Sequence, residues 1–186
     1  MSLKKNILVA VTGGISAYKA VDVISALKKY GHNVRVMATE NALKFVTKNT
    51  LAITADKYYE DVFDAPVHID ATEDIDAFVI VPATANIIGK IANGIADDLV
   101  TSTSMALSKN TKRIMCPAMN SRMWENSILQ KNVAFLANSR EHIYWSIIDP
   151  VEGLLACGTT GIGKLPSTRT IVKEIHKVLK IDPLEP

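Results

Sequence analysis

Cysteine is scarce in this chain: 186 residues hold two, Cys116 and Cys157, far apart and in no CxxC pair. That excludes a disulfide framework and a zinc knuckle, and leaves each sulfur as a lone thiol. An excess of one charge is missing too. The 21 Lys and Arg face 19 Asp and Glu, and the basic residues scatter from Lys4 to Lys180 without forming a stripe, so no nucleic-acid partner is expected. No apolar run approaches the ~18 to 20 residues that span a bilayer, and the start MSLKKNILVAVTGG has no apolar signal core with a cleavage site. The expectation is a cytoplasmic protein with no membrane partner. GxSxG and HExxH are absent as well, which removes α/β-hydrolase and zincin chemistry, and without paired CxxC motifs zinc deaminases go too. What remains is an ordinary globular composition, 48% hydrophobic and 22% charged, in a length that suits one domain with one sizeable core.

The positive signal is periodicity. Asn6 to Val11 is an apolar, β-branched run ending in Thr12-Gly13-Gly14, and the apolar residues that follow, Ala17, Ala20, Val21, Ile24 and Leu27, have helical spacing. Gly31-His32-Asn33 breaks that helix, and Val34 to Ala38 is a second buried strand finishing at Thr39-Glu40-Asn41. The pattern returns at Asp76 to Val81, a strand expected to stop at Pro82, with a helix from about Ala85 to Ala92 closed by Asn93-Gly94. Asp97 is the expected N-cap of a helix reaching about Ser108; Arg113 to Cys116 is a short strand before Pro117; one helix is expected over roughly Arg122 to Ala137. Ile143 to Ile148 supplies a last strand, and Ser167 caps a final helix whose apolar face is Ile171, Ile175, Val178 and Leu179. Strands that are continuous apolar runs, alternating with helices, imply a parallel sheet covered on both faces. The fold class is α/β: a single doubly wound, Rossmann-like domain over residues 1–180, with 181–186 a frayed tail.

Ligands of such sheets bind beyond the carboxyl ends of the strands. There stand Thr12-Gly13-Gly14-Ile15-Ser16, Thr39-Glu40-Asn41, Pro82-Ala83-Thr84-Ala85-Asn86-Ile87 and Pro117-Ala118-Met119-Asn120. The glycine turn is either a helix opening that favours a phosphate or a tight βα turn needing Gly for its dihedrals, and the motif leaves both open. It is not GxGxxG, and a hydroxyl at Thr39, where a dinucleotide binder places an acid, favours a mononucleotide over NAD. Gly158-Thr-Thr-Gly-Ile-Gly163-Lys164 imitates a P-loop, but Leu165 stands where Ser or Thr must reach magnesium, so ATP is rejected. The aperiodic, Gly-rich residues 149–167 are expected to be a mobile flap. His32, His142 and His176 are expected to be solvated, and His68 taken alone to be structural.

Taken together, His68-Ile69, PATAN at 82–86, GIADDL at 94–99, PAMN at 117–120 with Met123-Trp124, and Leu155-Ala156-Cys157-Gly158 form an ordered set that closely resembles the homo-oligomeric flavin-containing cysteine decarboxylases. The resemblance runs from Lys5 to about Lys180. It implies bound FMN and no metal, with the cofactor held by Gly13, Gly14, Ile15, Ser16, Thr39, Glu40, Asn41, Thr84, Ala85, Asn86, Ile87 and Ala118. It implies His68 as the catalytic histidine, Asn120 as the anchor of the substrate carboxylate, and Cys157, on the 149–167 flap, as the proton donor. Met123, Ala156 and Gly158 join Asn120 as substrate contacts. The implied reaction is decarboxylation of 4'-phosphopantothenoylcysteine to 4'-phosphopantetheine in coenzyme A biosynthesis, by a homo-oligomer that is a trimer or a dodecamer of trimers. The end at Pro186 suggests a stand-alone enzyme. Peptidyl-cysteine decarboxylases, flavin prenyltransferases, non-catalytic flavin-binding regulatory subunits and electron carriers are the competing readings. Two departures stand out: Ile87 replaces a common Thr, and Lys164-Leu165-Pro166 replaces a common Arg-Met sequence.

Overall fold

The computed structural model describes residues 4–61, 65–139 and 144–181. Asn6–Val11 is strand β1, followed by Asn33–Ala38 (β2), Lys57–Tyr59 (β3), Ala77–Ala83 (β4), Lys112–Pro117 (β5) and Trp145–Ile147 (β6). They form one sheet in the order β3-β2-β1-β4-β5-β6, and every neighbouring pair is parallel. Parallel neighbours need crossover connections, and the helices that supply them cover both faces. Because successive side chains point to opposite faces, β1 divides its residues between two cores. Ile7, Val9 and Val11 join Val34, Val36, Val79, Val81 and Ile114 beneath helices α1 (Ala20–Lys29), α2 (Lys48–Thr54) and α8 (Thr168–Val178). Leu8 and Ala10 join Met37, Phe78, Ile80, Met115 and Trp145 beneath helices α4 (Ala85–Ala92), α5 (Leu99–Ala106) and α7 (Ser127–Asn138). Between β3 and β4 lies one further short helix, α3 (Val67–Asp70), which packs against α5.

From β1 the chain winds outward to β2 and β3, then returns to β4 on the other side of β1. Strand order therefore reverses between β1 and β4, the place where an open parallel sheet leaves a crevice at its carboxyl edge.

Several expectations shift. β4 runs through Pro82 to Ala83, because the β4–β5 register slips between Ile80 and Ala83 and the ladder does not require the missing N–H there. The cap of α5 is Asp98, not Asp97: its carboxylate accepts from Thr101 N at 2.8 Å while the Thr101 hydroxyl accepts from Asp98 N at 3.0 Å. The helix expected over 122–137 is two, α6 (Ser121–Trp124) and α7, because the Asn126 side chain accepts from Ile128 N and Leu129 N and restarts the chain. Residues 149–167 hold an antiparallel hairpin, β7 (Val151–Leu154) and β8 (Thr160–Lys164), which forms a sheet of its own.

The histidine expectation is corrected as well. His32 and His176, 4% and 6% exposed, are not solvated but face each other, Nε2 to Nε2, at 2.9 Å. His32 Nδ1 accepts from Lys5 N at 3.3 Å, so its proton sits on Nε2 and is donated to His176. Burial, then the neighbouring His176, holds the His32 pKa down to about 4. His142, Ile143 and the tail from 182 onward lie outside the described residues.

Candidate active site

At the carboxyl edge of the sheet opens a cavity of about 980 Å3. Four strand ends build it. β1 contributes Gly13, Gly14, Ile15 and Ser16, β2 contributes Thr39, Glu40 and Asn41, β4 contributes Thr84, Ala85, Asn86 and Ile87, and β5 contributes Ala118, Met119 and Asn120 with Met123 beyond. The hairpin closes the remaining side with Leu154, Leu155, Ala156, Cys157, Gly163 and Lys164.

The crevice between β1 and β4 is held by one hydroxyl. Thr12 Oγ1 donates to the Pro82 carbonyl at 2.7 Å and accepts from Thr84 N at 3.2 Å, joining the two strand ends across the reversal point. Thr84 in turn caps α4, its oxygen accepting from Ile87 N at 3.3 Å. Gly13 is required by proximity: a Cβ there would lie 2.5 Å from Asn41 Cβ and 2.8 Å from its carbonyl carbon. The first and second strand ends thus pack backbone to backbone. At Gly14 a Cβ would meet only Thr84 Cγ2, at 3.5 Å, so that backbone faces the open cavity. The N–H groups opening the turn Ile15–Lys19, which runs into α1, have no intrahelical acceptors. Glycine backbone, unpaired N–H groups, hydroxyls and an Asn amide are a donor set suited to a phosphorylated heterocycle. Lys90 lines the same cavity but is neutralised, 2.7 Å from Asp97 and 3.5 Å from Asp98. The Asp97 hydrogen bond raises the Lys90 pKa, and the Lys90 bond lowers that of Asp97.

On the hairpin side, Asn120 and Cys157 meet, Nδ2 to Sγ at 3.1 Å. The amide is oriented, because Asn120 is also the N-cap of α6 and its Oδ1 accepts from Arg122 N at 2.9 Å. With the oxygen so engaged, the NH2 has to face the cavity. Cys157 lies on the exposed turn between β7 and β8, where the Thr159 hydroxyl (3.1 Å) and N–H, then Asn120, hold its thiol below the ordinary range. Cys116 is the opposite case, since full burial in the sheet pushes its thiol well up. One thiol is poised for proton chemistry and the other is core.

The hairpin is seated on this loop by its glycines. Met119 N donates to Gly163 O at 3.0 Å, and a Cβ on Gly163 would collide with the Met119 carbonyl oxygen. Gly161 faces the Ser121 hydroxyl in the same manner, and that hydroxyl is buried without a partner among the described residues.

The sequence profile of the flavoprotein family matches residues 1–180. The chain belongs to the flavoprotein family. It is 39% identical over 179 residues to the coenzyme A biosynthesis bifunctional protein CoaBC of Bacillus subtilis, covering 93% of this chain but only 43% of that one. It is 37% identical over 183 residues to a probable phosphopantothenoylcysteine decarboxylase of Streptococcus mutans, covering 95% of this chain and all of that one. Among solved structures, a Cys-to-Ser mutant of PPC decarboxylase complexed with pantothenoylaminoethenethiol superposes with a TM-score of 0.84 at 26% identity, over 96% of this chain and 100% of that one. The FMN-binding protein AtHal3 gives 0.78 at 27% identity, over 94% and 96%.

In this flavoprotein the cavity gathers the cofactor residues expected from the strand ends, together with Asn120, Met123, Ala156 and Cys157. Two expected site residues stand apart. Gly158 is not part of the lining; its φ of +82° makes the hairpin turn, where its N–H donates to Leu155 O at 2.9 Å. His68 sits half-buried on α3 and is not part of the cavity wall. Lys19 and Lys164 also line the cavity without a sequence signal for it, and so does Thr12, which the strand-end pattern names but not as a contact. Thr12 was visible as the residue between β1 and Gly13, but its bridge to β4 spans 70 residues and leaves no local signal.

Proposed function

We propose that the cavity binds FMN and that the protein decarboxylates 4'-phosphopantothenoylcysteine to 4'-phosphopantetheine, in the cytoplasm, as a step towards coenzyme A. The observation that carries this reading is the contact of Asn120 Nδ2 with Cys157 Sγ at 3.1 Å, in a cavity that the glycine turn also lines. A fixed carboxylate donor and an acidified thiol face the same space, one belonging to the body and one to a hairpin that covers it. FMN fits the donor set: the turn at Gly13 to Ser16 would hold its phosphate, and Thr84 to Ile87 with Ala118 would hold its ring system. When bound, it supplies a reversible two-electron oxidation of the substrate CH2–SH, giving a C=S that accepts the electrons released with CO2.

The chain's own residues do the rest. Asn120 donates to the substrate carboxylate and orients it for departure. Cys157 delivers a proton to the carbon skeleton after CO2 has left, and the hairpin excludes water from the reactive intermediate. His68 is the base for the thiol, and its place outside its own cavity supports a homo-oligomer, a trimer or an assembly of trimers, in which α3 of one copy completes the site of another. Exposed apolar side chains around the cavity, Ile15, Tyr18, Met123 and Leu154, at 58%, 55%, 49% and 66% exposure, favour the same arrangement. The test is to incubate purified protein with FMN and 4'-phosphopantothenoylcysteine and measure CO2 and 4'-phosphopantetheine, with particle mass by light scattering. A colourless protein that fails to take up micromolar FMN, or one that releases no CO2, overturns the reading.

A further inference from the structure

The substrate proposed above has a dianionic phosphate at the end remote from its thiol, and the roles assigned so far give that group no partner. Three lysines among the described residues line the cavity: Lys19, Lys90 and Lys164. Lys90 is held by Asp97 and Asp98. Lys19 closes the turn Ile15–Lys19, on the side assigned to the flavin phosphate. Lys164 makes no ion pair among the described residues.

The backbone aims Lys164 into the cavity. β7 and β8 pair with Val151 opposite Lys164 and Glu152 opposite Ile162, so the register slips by one residue. The extra residue is Gly163, at a φ of +153°. Such a bulge re-aims the side chain beside it. Lys164 is turned onto the face of the hairpin that Gly153 presents: a Cβ on Gly153 would lie 2.7 Å from Lys164 Cδ and 3.4 Å from its Nζ. The lysine stem occupies room that only a glycine leaves on the neighbouring strand. Gly161, opposite Gly153, faces Ser121, and Gly163 faces Met119, so this is the side of the hairpin seated on the cavity wall.

Lys164 is at the base of the hairpin and Cys157 at its tip. From Thr160 to Lys164 a strand advances ~14 Å at ~3.4 Å per residue. The cysteine, β-alanine and pantoate units of the substrate, carried through to the phosphate, are together about as long as four extended residues, also ~14 Å. We propose that Lys164 recognises the 4'-phosphate, so that the hairpin reads both ends of the substrate at once. This rests on the decarboxylase reading, and it makes Lys164 a specificity-determining residue for that reaction.

The test compares kcat/KM for 4'-phosphopantothenoylcysteine and for pantothenoylcysteine, which lacks the phosphate. A charge-assisted contact should give the wild type a preference of about tenfold to a hundredfold for the phosphorylated compound. Lys164→Gln should bring that ratio close to one, and Lys164→Arg should restore most of it. If Lys164→Gln lowers both values equally and keeps the ratio, the residue serves hairpin closure and the assignment is overturned. A wild type without preference overturns it too, as does a ratio that survives Lys164→Gln but collapses in Lys19→Gln. A wild type that turns over neither compound fails at the earlier step and removes the decarboxylase reading together with this one.

Discussion

Asn120→Asp isolates the charge of one side chain while leaving its structural duty intact. Asp is as good an N-cap as Asn, so the 2.9 Å bond from Arg122 N to Oδ1 should survive and folding stability should stay within about 0.5 kcal/mol. The cavity-facing group changes from a donor to an anion. One charge-assisted hydrogen bond to the substrate carboxylate is lost, about 2 kcal/mol. Two carboxylates about 4 Å apart at a partly screened site repel by about 4 kcal/mol. The sum, about 6 kcal/mol, lowers kcat/KM by roughly four powers of ten. Asn120→Ala removes the donor without adding repulsion and should lose only about thirtyfold from that contact, at the expense of about 1 kcal/mol of cap stability. The diagnostic is therefore an order: Asn above Ala above Asp in kcat/KM, but Asn equal to Asp above Ala in melting temperature. CO2 release under single-turnover conditions, with flavin absorbance to show that FMN remains bound, measures the first, and differential scanning fluorimetry the second. Turnover by Asn120→Asp within tenfold of wild type would refute the carboxylate role, and a lower melting point than that of Asn120→Ala would refute the cap.

Three further outcomes are expected. Cys157→Ser should reduce its flavin and release CO2 once, then accumulate an enethiol two hydrogens lighter than 4'-phosphopantetheine by mass spectrometry, because a hydroxyl is a far weaker acid than a thiol of ordinary pKa ~8.5; formation of the saturated product at the normal rate removes Cys157 as donor. His32, held near pKa 4 against ~6.5 unfolded, binds fewer protons folded than unfolded below that upper value. Stability should therefore be complete above pH ~6.5 and fall by up to about 3 kcal/mol as pH drops towards 4, and His32→Gln should flatten most of the slope in a urea-denaturation series. Gly13→Ala forces its new methyl against Asn41, 2.5 Å away, and separating the first two strand ends should weaken FMN at least tenfold in a fluorescence titration, at a stability loss of about 1 to 3 kcal/mol.

What the sequence displayed were features with a short period. β1 and β4 are buried on both faces and almost wholly apolar, and β2 and β5 hold apolar cores interrupted or led by Arg35 and Lys112-Arg113, so the four strands and their end loops were legible to within one or two residues, and with them most of the cavity wall. β3 was not legible, being a three-residue edge strand, Lys57-Tyr58-Tyr59, with one side exposed. The hairpin hid because six of its nine strand residues are exposed and only three, Val151, Leu154 and Ile162, carry apolar side chains; the rest are three glycines, a glutamate, a threonine and a lysine. Asn126 carried a cap signal that would have divided α6 from α7. The His32–His176 pair was out of reach of any local pattern, as its members are 144 residues apart and each is polar. His68 was legible as a motif residue, but its place outside the cavity wall follows from the packing of α3 on α5, which no local pattern displays.

The hairpin forms no ladder with the six-stranded sheet; among backbone hydrogen bonds, Met119 to Gly163 joins it to the cavity loop. On the hairpin's side the seat consists of glycines, Gly163 against the Met119 carbonyl and Gly161 against the Ser121 hydroxyl. The flavin cradle and the substrate cover can therefore diverge independently. Exchanging residues 151–164 for another hairpin that keeps Cys157 and the glycines at the two seating positions would alter what is recognised without disturbing the cradle at the strand ends. In engineering terms this cavity is a fixed reactor with an interchangeable cover, and new thiol-bearing carboxylates should be sought by varying the cover alone.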